Sequence, residues 1–172
     1  MSTNDAVTPK PSPPQDQSKR EILRHTLATL AYRGGKALRN VPASFADFRA
    51  GQGARTPAQI LAHLGDLLAW ALSIANGEQK WKSSNPLPWE EEVNRFFAAL
   101  KKFDDFLASN EPLQSPCEKL FQGPVADALT HVGQISILRR MAGEPVRAEN
   151  YFVANIATGR VGKEQAPPKR EF

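Results

Sequence analysis

The sequence predicts an all-α fold: a four-helix bundle with a long crossing connection and a short helical segment near the C-terminal end. Four stretches repeat apolar residues three and four positions apart, which is the period of one helix face. Proline and glycine separate these stretches, and no convincing strand lies between them. The chain has 172 residues, of which 41% are hydrophobic and 23% are charged. This composition is typical of one globular domain.

The first predicted helix covers residues 18–40 and the second covers residues 56–76. Ser18 precedes an acidic residue by three positions, which is the spacing of a capping box. Thr56 is a stronger start signal, because Pro57 follows it and a glutamine stands at the third helical position. One face of the second helix is apolar along most of its length, and we expect that face to meet the core.

The third predicted helix begins after Pro88 and ends near Asn110. Three glutamates in its first turn suit the positive end of the helix dipole. The fourth begins at residues 123–124, a Gly-Pro pair, and ends at Gly143. Residues 149–158 are expected to form one or two further turns.

The two ends of the chain differ in composition from the middle. Residues 1–18 are rich in proline and poor in apolar side chains, so we expect a disordered tail. Residues 159–172 have a similar composition and are expected to form a flexible tail. Residues 19–158 remain as the bundle. The first two connections, each about a dozen residues or more, are long for a simple up-and-down bundle, so at least one should cross it.

Charge and cysteine content exclude several classes. The net charge of +4 comes from 22 basic and 18 acidic residues spread along the chain, which is weak evidence for nucleic-acid binding. A single cysteine, Cys117, excludes an internal disulfide and zinc sites built on paired cysteines. We find no signal peptide and no apolar run of the ~20 residues that span a bilayer. We therefore expect a cytoplasmic protein that binds neither nucleic acid nor membrane.

Histidine is the residue type that points to chemistry. His25 lies opposite the apolar arc of the first helix and is expected at the surface. His63 lies within the apolar arc of the second helix and should face the bundle interior. Taken alone, His63 is explained most simply as a core histidine with one hydrogen-bond partner.

The fourth helix adds two further candidate residues. Asp127 and His131 are four positions apart, so both project from one helix face. They could form a hydrogen-bonded pair without metal, or they could join His63 as three ligands of a metal ion. Two histidines and a carboxylate suit several divalent transition metals and leave coordination positions open. Gln134, one turn after His131, could bind a cofactor or ligand, or could simply be a polar surface residue.

These residues lie in segments that resemble the DinB/YfiT-like superfamily of metalloenzymes. The segments read TPAQILAHLGDLLAWAL, DALTHVGQISILRRMAGEPV and AENYFVANIATGRVG, and the likeness covers residues 20–158. In that superfamily a metal-binding histidine falls at the position of His63. Its later H-x-x-x-H pattern matches His131, followed by Gly133 and Gln134. Asp127 replaces the first histidine of that pattern, as in the similar mycothiol-dependent maleylpyruvate isomerases.

The resemblance implies a bundle with a divalent metal (Zn, Ni, Fe or Mn) between its helices, often in a homodimer. It also implies a small-molecule substrate. Several relatives are similar to thiol transferases that use a low-molecular-weight thiol as cofactor: bacillithiol, mycothiol or glutathione. The expected function is therefore that of a metal-dependent thiol transferase or hydrolase. The alternative is a metal-free bundle that binds an apolar small ligand or a protein partner and has no catalytic activity.

Overall fold

The computed structural model describes residues 14–172, with side chains from residue 16 onwards, and is all-helical over this range. No β-strand occurs in these residues, and their one extended pairing is an isolated bridge between Glu149 and Glu171. The predicted all-α class is confirmed. Residues 1–13, the main part of the predicted N-terminal tail, lie outside the described residues. The helices are α1 (Pro14–Leu38), α2 (Pro57–Ala75), α3 (Trp89–Ala108), α4 (Cys117–Leu120) and α5 (Ala126–Met141).

The start of α2 has the capping box that the sequence predicts. The Thr56 hydroxyl accepts from the backbone N–H of Gln59 at 3.2 Å, and the Gln59 side chain accepts from the Thr56 N–H at 2.9 Å. The predicted start of α1 is wrong, because Ser18 lies inside that helix instead of capping it. An acidic residue three positions after a serine is also common within helices, so this spacing alone does not locate a helix start.

The last long helix starts earlier than the sequence predicts. Residues 117–141 form one continuous helical segment in which α4 and α5 are joined by a π-helical turn, Phe121–Val125. Pro124 lies inside this turn. Proline cannot donate the hydrogen bond of a regular α-helix, and the turn accommodates that loss without ending the helix. Gly123 and Pro124 therefore mark a local widening directly before Asp127, and the predicted helix start there is wrong.

Helices α3 and α5 lie between α1 and α2. Both α3 and α5 contact α1, and both also contact α2. The connection from α1 to α2 passes through a short 3-10 helix, Ala43–Asp47, whose Phe45 is buried. The fully buried large side chains come from every long helix, from the 3-10 helix and from α4: Phe45, Phe96, Phe103, Leu27, Leu30, Leu61, Leu64, Leu68, Leu100, Leu107, Leu120 and Ile135.

The C-terminal segment makes specific contacts with α1, although its composition predicts a flexible tail. Val161 is buried, and Glu171 accepts a hydrogen bond from Lys36 at 2.7 Å. Lys36 also donates to the buried carboxylate of Glu149 at 2.8 Å. Helical structure in residues 149–158 is limited to one 3-10 turn, Tyr151–Val153. The contacts that hold this segment pair residues more than a hundred positions apart, which local composition does not reveal.

One described helix, α2, is long and apolar enough to cross a membrane by length and composition alone. However, 61% of its most apolar window is buried inside the protein. The core helix of a globular bundle has the same character, so this feature is weak evidence for a membrane span.

Candidate metal centre

Packing of α2 against α5 brings the three predicted ligands together. His63 comes from α2, while Asp127 and His131 come from successive turns of α5. The His63 Nε2 atom lies 3.8 Å from Oδ2 of Asp127, and the His131 Nε2 atom lies 3.4 Å from Oδ1 of the same carboxylate. One ligand atom from each residue lies within 4.8 Å of the other two. These three residues could hold a metal ion.

The separations fit a small divalent cation. Histidine nitrogen and carboxylate oxygen bind zinc at about 2.0–2.2 Å, so two ligands of a tetrahedral ion lie about 3.4 Å apart. The two measured histidine–aspartate distances are at or just above that value. The two imidazole rings meet edge to face, with centroids 4.8 Å apart. The three ligand atoms lie within 4.8 Å of one another, so the side chains would close in to bind one ion between them.

Gln134 determines which nitrogen of His131 is available. The Nδ1 atom of His131 lies 2.7 Å from the Oε1 atom of Gln134. An amide oxygen can only accept, so Nδ1 carries the proton and donates it. In the neutral ring, Nε2 then has a free lone pair directed towards Asp127. Metal-binding histidines usually have such a partner on the other ring nitrogen.

In its neutral form, His131 does not form a simple hydrogen-bonded pair with Asp127. An unprotonated Nε2 has no hydrogen to give to the carboxylate. The 3.4 Å contact is also longer than the 2.7–3.2 Å that is usual for N–H···O bonds. In the neutral ring, this nitrogen and the carboxylate oxygen face each other lone pair to lone pair, and a cation between them would satisfy both. In the protonated ring, Nε2 would instead donate to Asp127.

The surroundings of His63 favour its neutral form. Burial is the main cause that lowers the pKa of His63, and repulsion from a protonated His131 and from Arg55 acts in the same direction. The charges of Asp127 and Asp66 oppose this shift without reversing it. A histidine must be neutral to bind a metal, so its surroundings are compatible with that role.

Two tryptophans extend from the candidate centre on the side of the α2–α3 loop. The ring of Trp81 lies 5.6 Å from that of His63, edge to face. Trp70, on α2, packs against Trp81 at the same centroid distance. Sequence reasoning missed Trp81, since it lies in a loop without hydrophobic periodicity. The contacts of Trp81 with His63 and Trp70 exist only in the folded protein, so no sequence signal could have placed Trp81 at the centre.

Buried charges anchor the loop that carries Trp81. Arg95 of α3 donates to Asp66 and to Glu92, each at 2.8 Å. The remaining oxygens of these carboxylates accept from the loop backbone: Asp66 from Ser84 N–H and Glu92 from Leu87 N–H, each at 2.9 Å. The loop is therefore fixed at two points, which helps to hold Trp81 beside His63.

A cavity of about 380 Å³ adjoins the centre at His131. It has polar groups where it meets the candidate ligands, apolar walls along α2 and α5, and an arginine from the loop before α2. This volume lies within the range of sites for small molecules. The lining residues are Ala54, Arg55, Ile60, His131, Gln134, Ile137 and Leu138.

The remaining candidates lie apart from this site. His25 is exposed, as predicted, and its Nδ1 lies 3.4 Å from the Thr158 hydroxyl. Cys117 is buried at the start of α4 and lines a separate apolar groove with Ile22 and Phe121. Burial raises the pKa of the Cys117 thiol, which makes it a poor nucleophile at neutral pH.

Comparisons with known proteins give no match: no family model, no curated protein and no solved structure shows significant similarity to this chain. The resemblance to the DinB/YfiT-like superfamily therefore stays a prediction from the sequence.

Proposed function

We propose that this protein is a DinB/YfiT-like metal-dependent enzyme whose four-helix bundle binds one divalent transition metal ion through His63, Asp127 and His131. One observation carries the proposal: three potential ligand atoms from two helices lie within 4.8 Å of one another. The orientation of His131 by Gln134 supports it, because the free nitrogen of that ring is directed into the group.

The ligand set suits catalysis better than a purely structural role. Structural zinc sites are usually closed by four protein ligands, whereas catalytic sites keep a position for water or substrate. Here two nitrogens and one carboxylate supply three ligands. The Asp127 side chain is 48% exposed, so solvent reaches the group. Zn, Ni, Fe and Mn are all compatible with these ligands.

When bound, the metal would act as a Lewis acid that lowers the pKa of a coordinated water or thiol, so that its anion forms at neutral pH. The protein's own residues would hold and orient the reactants. Gln134 keeps His131 in the ligating tautomer, and Asp127 supplies negative charge. The adjoining cavity would receive a small-molecule substrate. This arrangement supports either a hydrolase or a thiol transferase that uses a low-molecular-weight thiol. A homodimer and a cytoplasmic location remain expectations from the sequence.

The test is the activity of stripped and reloaded protein. Protein treated with chelator is reloaded separately with Zn, Ni, Fe(II) and Mn, and is then assayed for ester hydrolysis and for conjugation of glutathione, bacillithiol or mycothiol to an electrophile. We expect at least one metal to restore a rate that the stripped protein lacks. His63→Ala should abolish this rate, and His25→Ala, a change at an exposed histidine outside the centre, should not.

The proposal fails if reloading restores no rate and no metal raises the melting temperature. That outcome would favour the metal-free bundle that binds an apolar ligand or a protein partner.

A further inference from the structure

We propose that the cavity beside the candidate metal centre binds small organic carboxylates, and that Arg55 holds the carboxylate group. This inference concerns the substrate class and rests on the proposed function, in which the cavity is the substrate pocket.

Arg55 is placed to act as an anion-binding residue. It lies directly before Thr56, the N-cap of α2, and it lines the cavity together with His131 and Gln134. Arg55 is exposed, and within the described residues its side chain forms no ion pair and no hydrogen bond. Most other arginines near the bundle core are engaged, as Arg95 is with Asp66 and Glu92. The Arg55 guanidinium is therefore available to a ligand.

The walls of the cavity define the rest of the ligand. Ile60 from α2, with Ile137 and Leu138 from α5, gives the cavity an apolar lining beside Arg55 and His131. Ile137 is 60% exposed, and covering it with a ligand would remove apolar surface from water. A molecule with a hydrocarbon body and one anionic end matches this arrangement.

Charge and geometry favour a carboxylate over a neutral group. With a divalent ion bound, Asp127 offsets only one of its two positive charges, and Arg55 adds another. The planar guanidinium can donate two parallel hydrogen bonds to a carboxylate. A single arginine beside apolar walls provides too few donors for a phosphate dianion, which is usually surrounded by several donors.

The test compares matched anionic and neutral ligands by isothermal titration calorimetry. Benzoate and hexanoate are titrated into the protein, followed by benzamide and hexanamide, which have similar shapes without the charge. The proteins are the wild type, Arg55→Gln and Arg140→Gln, each metal-free and zinc-loaded. Arg140 is an exposed arginine of α5 that does not line the cavity, so its variant controls for net charge.

We expect the wild type to bind each carboxylate at least tenfold more tightly than the matching amide. Arg55→Gln should weaken carboxylate binding by about tenfold, as expected for loss of a hydrogen bond between charged groups. Arg140→Gln should not change it. The effect of Arg55→Gln should also appear without metal, where any affinity of zinc for carboxylates is absent.

The inference is overturned if amides bind as tightly as carboxylates, or if Arg55→Gln and Arg140→Gln behave alike. A zinc titration of the same proteins separates this result from failure of the proposed function. Arg55→Gln should bind zinc like the wild type, whereas absence of zinc binding in the wild type would remove the metal centre itself.

Discussion

The Nδ1 atom of His131 lies 2.7 Å from the Oε1 atom of Gln134, one turn further along α5. This contact fixes the ring proton on the side away from Asp127. In the neutral ring, the other nitrogen then faces the carboxylate without a proton to share, and His63 approaches the same carboxylate from α2. The contact between His131 and Gln134 therefore favours a ring orientation in which the group could hold a metal ion.

Removing the partner of His131 should weaken metal binding. We expect Gln134→Leu to raise the dissociation constant for zinc by about tenfold or more, as is typical when the hydrogen-bond partner of a ligating histidine is lost. Gln134→Glu, which keeps an acceptor at the same place, should bind zinc at least as tightly as the wild type. Calorimetric zinc titration measures both. Equal weakening in the two variants would show that Gln134 does not act through the His131 proton.

Asp127 should matter for metal binding and not for the metal-free fold. Its side chain is half exposed, so Asp127→Asn should change the stability of stripped protein by less than about 0.5 kcal/mol. Zinc raises the melting temperature only by binding the folded state, so this rise should shrink or vanish in the variant. Thermal unfolding with and without zinc measures both quantities. An unchanged rise in Asp127→Asn would exclude the carboxylate as a ligand.

The sequence predicts the components of this centre better than its surroundings. Asp127 and His131 are four positions apart on one helix, and His63 interrupts an apolar arc, so helical periodicity identifies all three. Periodicity does not identify Trp81 or Arg55, because both lie in loops whose paths depend on distant anchors. The π-helical turn was also missed, since Gly123 and Pro124 are more often found where a helix begins.

The Asp66–Arg95 pair should make stability depend on pH in the acidic range. Burial acts to raise the pKa of Asp66, but hydrogen bonds from Arg95 and Ser84 outweigh it and hold the pKa below its ordinary value of 3.8. A carboxyl group with a lowered folded-state pKa contributes stability above its unfolded pKa. That contribution is lost as pH falls through the folded-state pKa.

We expect Asp66→Asn to be less stable than the wild type by about 2 kcal/mol at pH 7, since Arg95 loses a charged hydrogen-bond partner. The difference should narrow as the pH falls below about 4. Urea unfolding from pH 7 to pH 3 gives the free energy of unfolding for both proteins. A difference that stays constant over this range would show that ionised Asp66 contributes nothing specific.

Two glycines should respond in opposite ways to alanine. A Cβ atom at Gly65 would lie 2.9 Å from the Cζ atom of Arg95, whose guanidinium is held by Asp66 and Glu92. Gly65→Ala should therefore lower the free energy of unfolding by about 1–3 kcal/mol. A Cβ at Gly133 meets nothing within 4 Å, so Gly133→Ala should stabilise α5 by about 0.5–1 kcal/mol. Chemical denaturation gives the free energy of unfolding of both variants. An unchanged free energy of unfolding in Gly65→Ala would show that the Arg95 side chain can move away from the added Cβ.

The C-terminal segment shows where sequence reasoning reaches its limit. Lys36 is a polar residue on a helix, and nothing local indicates that it joins Glu149 and Glu171 in a partly buried cluster. The composition of residues 159–172 predicts a flexible tail. It gives no information about where Val161 is buried or which residue Glu171 contacts.

Elemental analysis tests the central claim most directly. Tag-free protein is purified without chelator and its content of Mn, Fe, Ni, Cu and Zn is measured for the wild type, His63→Ala and His25→Ala. The account predicts close to one metal ion per chain in the wild type and in His25→Ala, and a large loss in His63→Ala. Full metal content in His63→Ala, or no metal in the wild type and no thermal shift on adding these ions, would contradict it.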